Sequence, residues 1–205
     1  MNNCYLDAEA VITFFRMTGR KHIFITGSRG SGKSHLINNM LKHMSDSFNL
    51  LQSHRTDTPQ VVIKSNLVAD NKEFVIGVPR TSGINPASKG NNMTIIEDGF
   101  INCAIPAIDT HLDTTPERLF VIDELGYLES SCIPFQKAVE KLLDNSHVLA
   151  VIRKQSTEFL NRICNRKDVL VIDIDSTFET LSCIIMASGM SKRFGSNKLI
   201  TDSVS

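Results

Sequence analysis

Apolar residues in this chain gather in short unbroken runs, and several of the stretches between the runs carry apolar residues at helical spacing. The first clear run, His22-Ile23-Phe24-Ile25-Thr26, ends in glycine and reads as a strand. Gly27 through Gly32 reads as a turn-prone loop. Lys33 to about Met44 reads as a helix, with Leu36, Ile37, Met40, Leu41 and Met44 on one face. Upstream, Ala8 to Met17 is expected to form a short helix closing one edge of a sheet. Residues 47–110 are less regular. Val61-Val62-Ile63 and Phe74-Val75-Ile76-Gly77-Val78 read as strands of a hairpin or meander, set among loops rich in Asn, Asp, Gly, Pro and Ser. Thr81 to Asn92 is the segment expected to be most mobile. Order returns at Leu119-Phe120-Val121-Ile122, a strand ending in Asp123-Glu124. A helix over Pro134 to Leu143 follows, then a strand over His147 to Ile152, a helix over Thr157 to Cys164 and a strand over Val169 to Ile172. Near-continuous apolar strands alternating with helices predict a three-layer α/β fold whose sheet is mainly parallel and covered on both faces. There is no internal repeat and no low-complexity tract.

Composition narrows this picture without changing it. At 205 residues the chain is expected to hold one domain and a short extra piece. Lys plus Arg and Asp plus Glu both number 22, so the formal net charge is zero. That balance argues against a broad basic surface for nucleic acid or anionic lipid and leaves room for a local basic pocket. A hydrophobic share of 41% with 21% charged residues excludes disorder as the main description. No apolar run approaches the roughly 20 residues that span a bilayer, and Met1 to Asp7 has no signal-peptide pattern, so no membrane association is expected. Five scattered cysteines without a Cys-x-x-Cys pair point to a reducing cytoplasm. His22, His35, His43, His111 and His147 lack metal-ligand spacing and read as surface or packing residues.

The chemistry is concentrated in Gly27-Ser28-Arg29-Gly30-Ser31-Gly32-Lys33-Ser34, which fits the Walker A pattern G-x-x-x-x-G-K-[ST] at every fixed position. Glycines let the backbone turn so that successive N–H groups face one anion, and the following helix aims its positive end at the same point. Lys33 is expected to reach the β- and γ-phosphates, and Ser34 to offer a hydroxyl to Mg²⁺. The nucleotide-binding set then runs from Gly27 through Ser28, Arg29, Gly30, Ser31, Gly32, Lys33 and Ser34 to His35. An acidic residue at the end of a neighbouring apolar strand should complete the site, in the manner of Walker B. Asp123 is expected to hold Mg²⁺ with Ser34, and Glu124 to orient or deprotonate an attacking water. Arg153 ends the next strand on the same sheet edge, where a cation stabilises charge on a transferring phosphoryl group; a solvated strand-end arginine fits the same position. Arg29 is placed either to cover the phosphates or to face solvent. Arg55 and His54 are candidates for the pocket wall, and Lys89 is a weaker one.

Taken together, these motifs resemble the small P-loop nucleoside-triphosphatase family that includes the cancer-related type. Its second motif is similar to Asp123-Glu124-Leu125-Gly126-Tyr127-Leu128-Glu129 followed by Ser130 and Phe135, with Tyr127 standing where lysine is usual. The resemblance extends over Val148 to Arg153 and Asp168 to Ile172, and covers roughly residues 21–175. It is poor in the middle, where Gln52-Ser53-His54-Arg55-Thr56 stands in place of a glycine-aromatic stretch. A second resemblance follows. Cys183 to Leu199 is similar to the opening of molybdenum-cofactor nucleotidyltransferase-like proteins, with Gly189, Ser191, Arg193, Gly195 and Lys198 at matching spacing.

The expected organisation is therefore a P-loop nucleoside-triphosphatase domain over 1–175 and a tail over 176–205. The tail is read either as the truncated start of a nucleotidyltransferase-like domain or as a helix opening at Ser176-Thr177-Phe178-Glu179, a capping-box spacing. The resemblance and the motifs imply Mg²⁺-dependent hydrolysis of the β–γ bond of ATP or GTP, with Lys33, Glu124 and Arg153 catalytic. Expected partners are the nucleoside triphosphate and a fused or associated nucleotidyltransferase domain. Two rival readings are a nucleotide-binding regulatory module for such a transferase and a small-molecule kinase with its acceptor pocket in residues 50–110.

Overall fold

The computed structural model describes residues 7–44, 47–68, 72–80 and 93–175. The expectations for residues 81–92, for Lys89 and for the tail 176–205 lie outside them. The chain divides after Asp175 into two compact units, and every described residue belongs to the first.

Helix α1 (Ala8–Thr18) is opened by Asp7, whose carboxylate accepts from the Ala10 amide, and closed by Gly19 in the left-handed conformation at φ 65°. Strand β1 (His22–Thr26) leads through the glycine loop into α2 (Lys33–Met44). Four strands follow: β2 (Phe48–Arg55), β3 (Val61–Ser65), β4 (Phe74–Pro79) and β5 (Met93–Ile95). A helical run then passes from α3 (Glu97–Gly99) through a π-helical segment (Phe100–Ala104) into α4 (Ile105–Thr114). The last elements are β6 (Leu119–Leu125), a 3₁₀ turn (Glu129–Ser131), α5 (Ile133–Asn145), β7 (His147–Ile152), α6 (Glu158–Cys164) and β8 (Val169–Asp173).

Among the described residues eight strands form one sheet in the order β5-β4-β3-β2-β6-β7-β1-β8. From β2 to β8 the pairings are parallel, and β3, β4 and β5 extend the β2 side as an antiparallel meander. The fold is the expected three-layer α/β domain. Two expectations are corrected. The acidic strand β6 is not the neighbour of β1, because β7 is inserted between them. Nor does α1 close an edge: Ala8, Val11 and Ile12 pack with Leu36, Ile37, Met40 and Leu41 of α2 over the sheet face formed by Ile23, Ile25, Leu149, Val151 and Leu170. The opposite face, with Phe24, Phe120, Ile122, Ala150 and Ile152, is covered by the helical run before β6, by α5 and by α6. This alternation is the period-2 pleat of strands buried on both sides.

The site's location follows from this topology. The connection leaving β1 crosses one face through α2 toward β2, whereas the one leaving β7 crosses the other face through α6 toward β8. Chain departing in opposite directions opens a crevice at the carboxyl ends of β1 and β7, and ligands of open α/β sheets bind in such crevices.

At the other end of the sheet, histidines serve packing. His111 accepts from Asn49 at 2.7 Å through Nδ1 and donates to Ser146 at 2.6 Å through Nε2, while Ser146 donates to the Pro116 carbonyl at 2.8 Å. His22 is fully buried; its Nδ1 accepts the Val148 amide at 3.2 Å, and its Nε2 faces Asp168 at 3.4 Å. Burial lowers its pKa to about 4, outweighing the attraction of Asp168. A base with a depressed folded pKa contributes stability above its unfolded value of 6.5, and that contribution is lost as pH falls toward 4. Urea titrations are therefore expected to show wild type losing about 2 kcal/mol more between pH 7.5 and pH 5 than a His22→Gln variant. The comparison of slopes isolates His22 from Glu129, whose raised pKa acts in the opposite sense. Parallel slopes would mean that His22 does not stay neutral in the fold.

Candidate functional site

The loop after β1 is shaped by glycines, Gly30 and Gly32 for their backbone conformation and Gly27 for lack of space as well. Gly30 and Gly32 have φ of 75° and 93°. A Cβ on Gly27 would lie 2.7 Å from Ile174 Cγ1 and 2.9 Å from Ser31 Oγ. Ser31 donates to the Ser28 carbonyl through its hydroxyl at 2.7 Å. The Lys33 ammonium curls back over the loop and donates to the carbonyls of Gly27 at 2.9 Å and Ser28 at 2.7 Å. Ser28 is held from the far side, since its amide and hydroxyl both donate to Asp175 Oδ2, at 2.7 and 2.6 Å. Lys154 in turn lies between Asp173 at 2.9 Å and Asp175 at 3.1 Å. These bonds from Ser28 and Lys154 hold the Asp175 carboxyl below the usual carboxylate range.

Although one strand removed from β1, the end of β6 reaches the loop. Gln52, the register partner of Asp123 on β2, donates to its Oδ2 at 3.4 Å, and Ser34 and Lys33 of the loop stand near enough to act on the same carboxyl. Burial raises its carboxyl pKa and Glu124 adds to the shift, while the bonds from Gln52 and Ser34 and the Lys33 charge oppose it. Between Ile122 and Leu125 the register slips: β6 advances three residues where β7 advances two, from Ala150 to Ile152. The extra residue breaks strict alternation where the two acids stand, and bulges of this kind re-aim side chains beside active sites. Glu124 forms an ion pair with Arg153, the residue after β7, whose amide donates to the Leu125 carbonyl at 2.8 Å.

A cleft of about 930 Å³ opens over the loop and the strand ends, with Asp123 beneath its walls rather than among them. Its walls include Gly27, Ser28, Arg29, Gly30, Gly32, Lys33, Ser34 and His35 on the loop side, with Glu124, Arg153 and Lys154 at the strand ends. Ser53, His54 and Arg55 of β2 and the turn from Tyr127 to Glu129 form the remainder. Arg153 thus stands on the expected edge, and it is engaged by Glu124. His54 lines the cleft but pairs with Glu73 at 3.1 Å. His35 lines it beside Asn39, at 3.0 Å.

Four residues escaped the sequence reading: Gln52, which donates to Asp123; Asp175, which grips the loop at Ser28; Lys154, which holds Asp175; and Glu129 as a buried group. Glu129 is 5% exposed, accepts the Gly126 amide at 2.9 Å and faces the Ser53 hydroxyl at 3.3 Å. Burial raises its pKa to about 6, helped by Glu124 and opposed by its amide bonds and Arg153. Its burial was the missing signal, because the sequence motif that contains Glu129 shows only its spacing.

A mainly parallel α/β sheet with a glycine phosphate loop at the topological switch point, facing an acidic strand end, defines a P-loop nucleotide-binding protein. The profile of the family described as NTPase matches residues 22–179, and the chain belongs to that family of nucleoside-triphosphatases. It is 26% identical over 155 residues to the nucleoside-triphosphatase THEP1 of Thermotoga sp. (strain RQ2), covering 75% of this chain and 86% of the relative. It is 24% identical over 154 residues to THEP1 of Thermotoga maritima, with the same coverage of 75% and 86%. Among solved structures, THEP1 from the hyperthermophile Aquifex aeolicus superposes with a TM-score of 0.59 at 16% identity, covering 79% of this chain and 99% of that one. A human cancer-related nucleoside triphosphatase gives 0.56 at 19%, covering 82% and 100%. These two likenesses show the fold. The family match ends at residue 179, and the nucleotidyltransferase-like stretch from Cys183 to Leu199 lies outside the described residues. No helix among the described residues is long and apolar enough to cross a membrane.

Proposed function

We propose that this chain is a Mg²⁺-dependent hydrolase that cleaves the β–γ bond of ATP or GTP, releasing nucleoside diphosphate and inorganic phosphate. One observation carries the reading: Ser34 and Lys33, which line the cleft with Glu124, stand close enough to Asp123 at the end of β6 for both to favour its ionised carboxyl. In the proposal the loop amides and Lys33 bind the phosphates, with Gly27 to His35 forming the floor. Lys33 exchanges the carbonyls of Gly27 and Ser28 for phosphate oxygens. Glu124 orients the attacking water and takes its proton as the oxygen bonds to the γ-phosphorus. Arg153, already against Glu124, supplies positive charge toward the phosphoryl group as it transfers.

The donor set fits magnesium. Mg²⁺ takes hard oxygen ligands and is bound through one or two carboxylates plus phosphates and water. Ser34 and Asp123 offer a hydroxyl and a carboxylate, and no group of three or more His, Cys, Asp or Glu suited to a metal occurs among the described residues. Bound there, the metal would neutralise charge on the β- and γ-phosphate oxygens. Free thiols at Cys103, Cys132 and Cys164 support a cytoplasmic, reducing setting. We assign the activity to residues 1–175, so the nucleotidyltransferase-like partner suggested by the tail is not needed for turnover.

A phosphate-release assay across nucleoside triphosphates tests the reading. Release from ATP or GTP is expected with Mg²⁺, falling by at least about a hundredfold when the metal is chelated. Tight Mg·ATP binding with no release would favour the regulatory-module reading. Phosphate appearing on an added metabolite rather than in water would favour the kinase reading.

A further inference from the structure

Glu129 is the one buried carboxylate among the described residues. Burying a charge is costly unless its lone pairs are satisfied, so a carboxylate at this depth needs a reason. Its two oxygens have different partners. Oε2 accepts the Gly126 amide at 2.9 Å, and Oε1 faces the Ser53 hydroxyl at 3.3 Å. Ser53 projects from β2 onto the backbone of Glu124, with its Oγ 3.5 Å from the Glu124 amide nitrogen and 3.4 Å from the Glu124 carbonyl oxygen. Gly126 lies where these groups meet: a Cβ there would touch both Glu129 Oε2 and Arg153 Cδ at 3.4 Å, so the buried acid and the stem of the arginine paired with Glu124 pack against the same residue.

We infer that Glu129 is a positioning residue for Glu124: through the Gly126 amide and the Ser53 hydroxyl it fixes the bulged end of β6, and with it the direction in which Glu124 enters the cleft. The inference rests on the proposed role of Glu124 as the group that activates water. It gives the buried acid a proton-dependent effect. A hydroxyl has a single hydrogen, and Ser53 has two acceptors within reach, Glu129 and the Glu124 carbonyl. While Glu129 is ionised it draws the Ser53 hydrogen. Once protonated, Glu129 donates to Ser53, whose hydrogen turns to the Glu124 carbonyl, and the strand end is held by a different set of bonds. The charged and titratable groups around Glu129 are Glu124 from β6, Arg153 after β7 and Tyr127 in its own turn. Burial outweighs Arg153 and places the transition near pH 6.

The test compares wild type with Glu129→Gln, which keeps size and burial but cannot ionise, and with Glu129→Asp. For Glu129→Gln, kcat is expected to fall about tenfold to a hundredfold with nucleotide KM within about twofold, the signature of a misdirected group rather than lost binding. The acid limb of the wild-type kcat profile should have its midpoint near pH 6, vanish in Glu129→Gln and return in part in Glu129→Asp. The Gly126 amide shift in the ligand-free wild type, followed by NMR against pH, reads the same carboxyl without turnover and stands in if Glu129→Gln does not fold. It should titrate near pH 6. An active wild type with a flat Gly126 titration, or a Glu129→Gln variant with unchanged kcat and limb, overturns this inference alone. A wild type that releases no phosphate while Gly126 titrates overturns the hydrolase reading, and this one with it.

Discussion

Lys33→Ala is expected to abolish measurable phosphate release and to weaken Mg·ATP binding by about a hundredfold or more. Lys33 is a half-buried residue whose ammonium is bonded to two neutral carbonyls of its own loop, at 2.9 and 2.7 Å. Exchanging them for phosphate oxygens replaces neutral acceptors with anionic ones, adding charge–charge attraction to hydrogen bonds whose donor is already ionised. The lysine is therefore held at the site while leaving most of its interaction energy for the ligand. Its loss acts twice more. The Gly27 and Ser28 carbonyls lose their donor, and Asp123 loses a positive neighbour that opposes its burial-driven upward shift. Calorimetric titration with Mg·ATP, beside a phosphate-release assay, checks both parts, with Lys33→Arg as the control for charge without shape. Wild-type affinity in Lys33→Ala would remove the loop from phosphate recognition.

The parts of this site that were legible in the sequence are those whose chemistry is local. The glycine loop, Lys33 and Ser34 lie within eight positions, and the glycines there have a single structural use. Asp123 and Glu124 were equally visible, since two acids closing an unbroken apolar run have to emerge at a strand end. Strand order was not visible. An apolar run announces burial on both faces and leaves the identity of its neighbours to the connections, which is why β7 between β1 and β6 came as a correction.

Strand β2 was hidden for a reason tied to function. Asn49, Gln52 and Ser53 interrupt its apolar pattern, and each polar side chain has a partner: His111 for Asn49, Asp123 for Gln52, the backbone of Glu124 for Ser53. Sites are where local pattern rules give way. The helical run from Glu97 to Thr114 is a different case, because its signal was present. Phe100, Cys103, Ala104, Ala107, Ile108 and His111 recur at helical spacing and are all buried. Gly99 and Pro106 resemble breakers and obscured it. Gly99 is there because a Cβ would stand 2.3 Å from the Val75 carbonyl, and Pro106 falls in the first turn after the π-helical segment, where the missing amide is tolerated. Asp175 had no sequence signal at all. Its partner Ser28 is 147 positions away, and only the β1–β8 pairing brings them together.

Glu124→Gln is expected to separate binding from turnover more sharply than any other single change. The amide keeps the size of the carboxylate but cannot accept the proton of an attacking water, so kcat should fall by about 10²–10⁴. Affinity for Mg·ATP should hold or improve. None of the loop's own bonds involves Glu124, and removing its charge leaves Arg153 without its anionic partner in a cleft that receives a polyanion. Stability should change little: the Arg153 side chain is 42% exposed and that of Glu124 is 24% exposed, which limits the pair to about 1 kcal/mol or less. Equilibrium binding and single-turnover phosphate release, measured on one preparation, give the two halves of the answer. A variant that binds and hydrolyses like wild type would move water activation elsewhere in the cleft. A variant that binds about tenfold more weakly would mean that Glu124 contributes to ground-state binding, and the fall in kcat would then no longer isolate a step in the transition state.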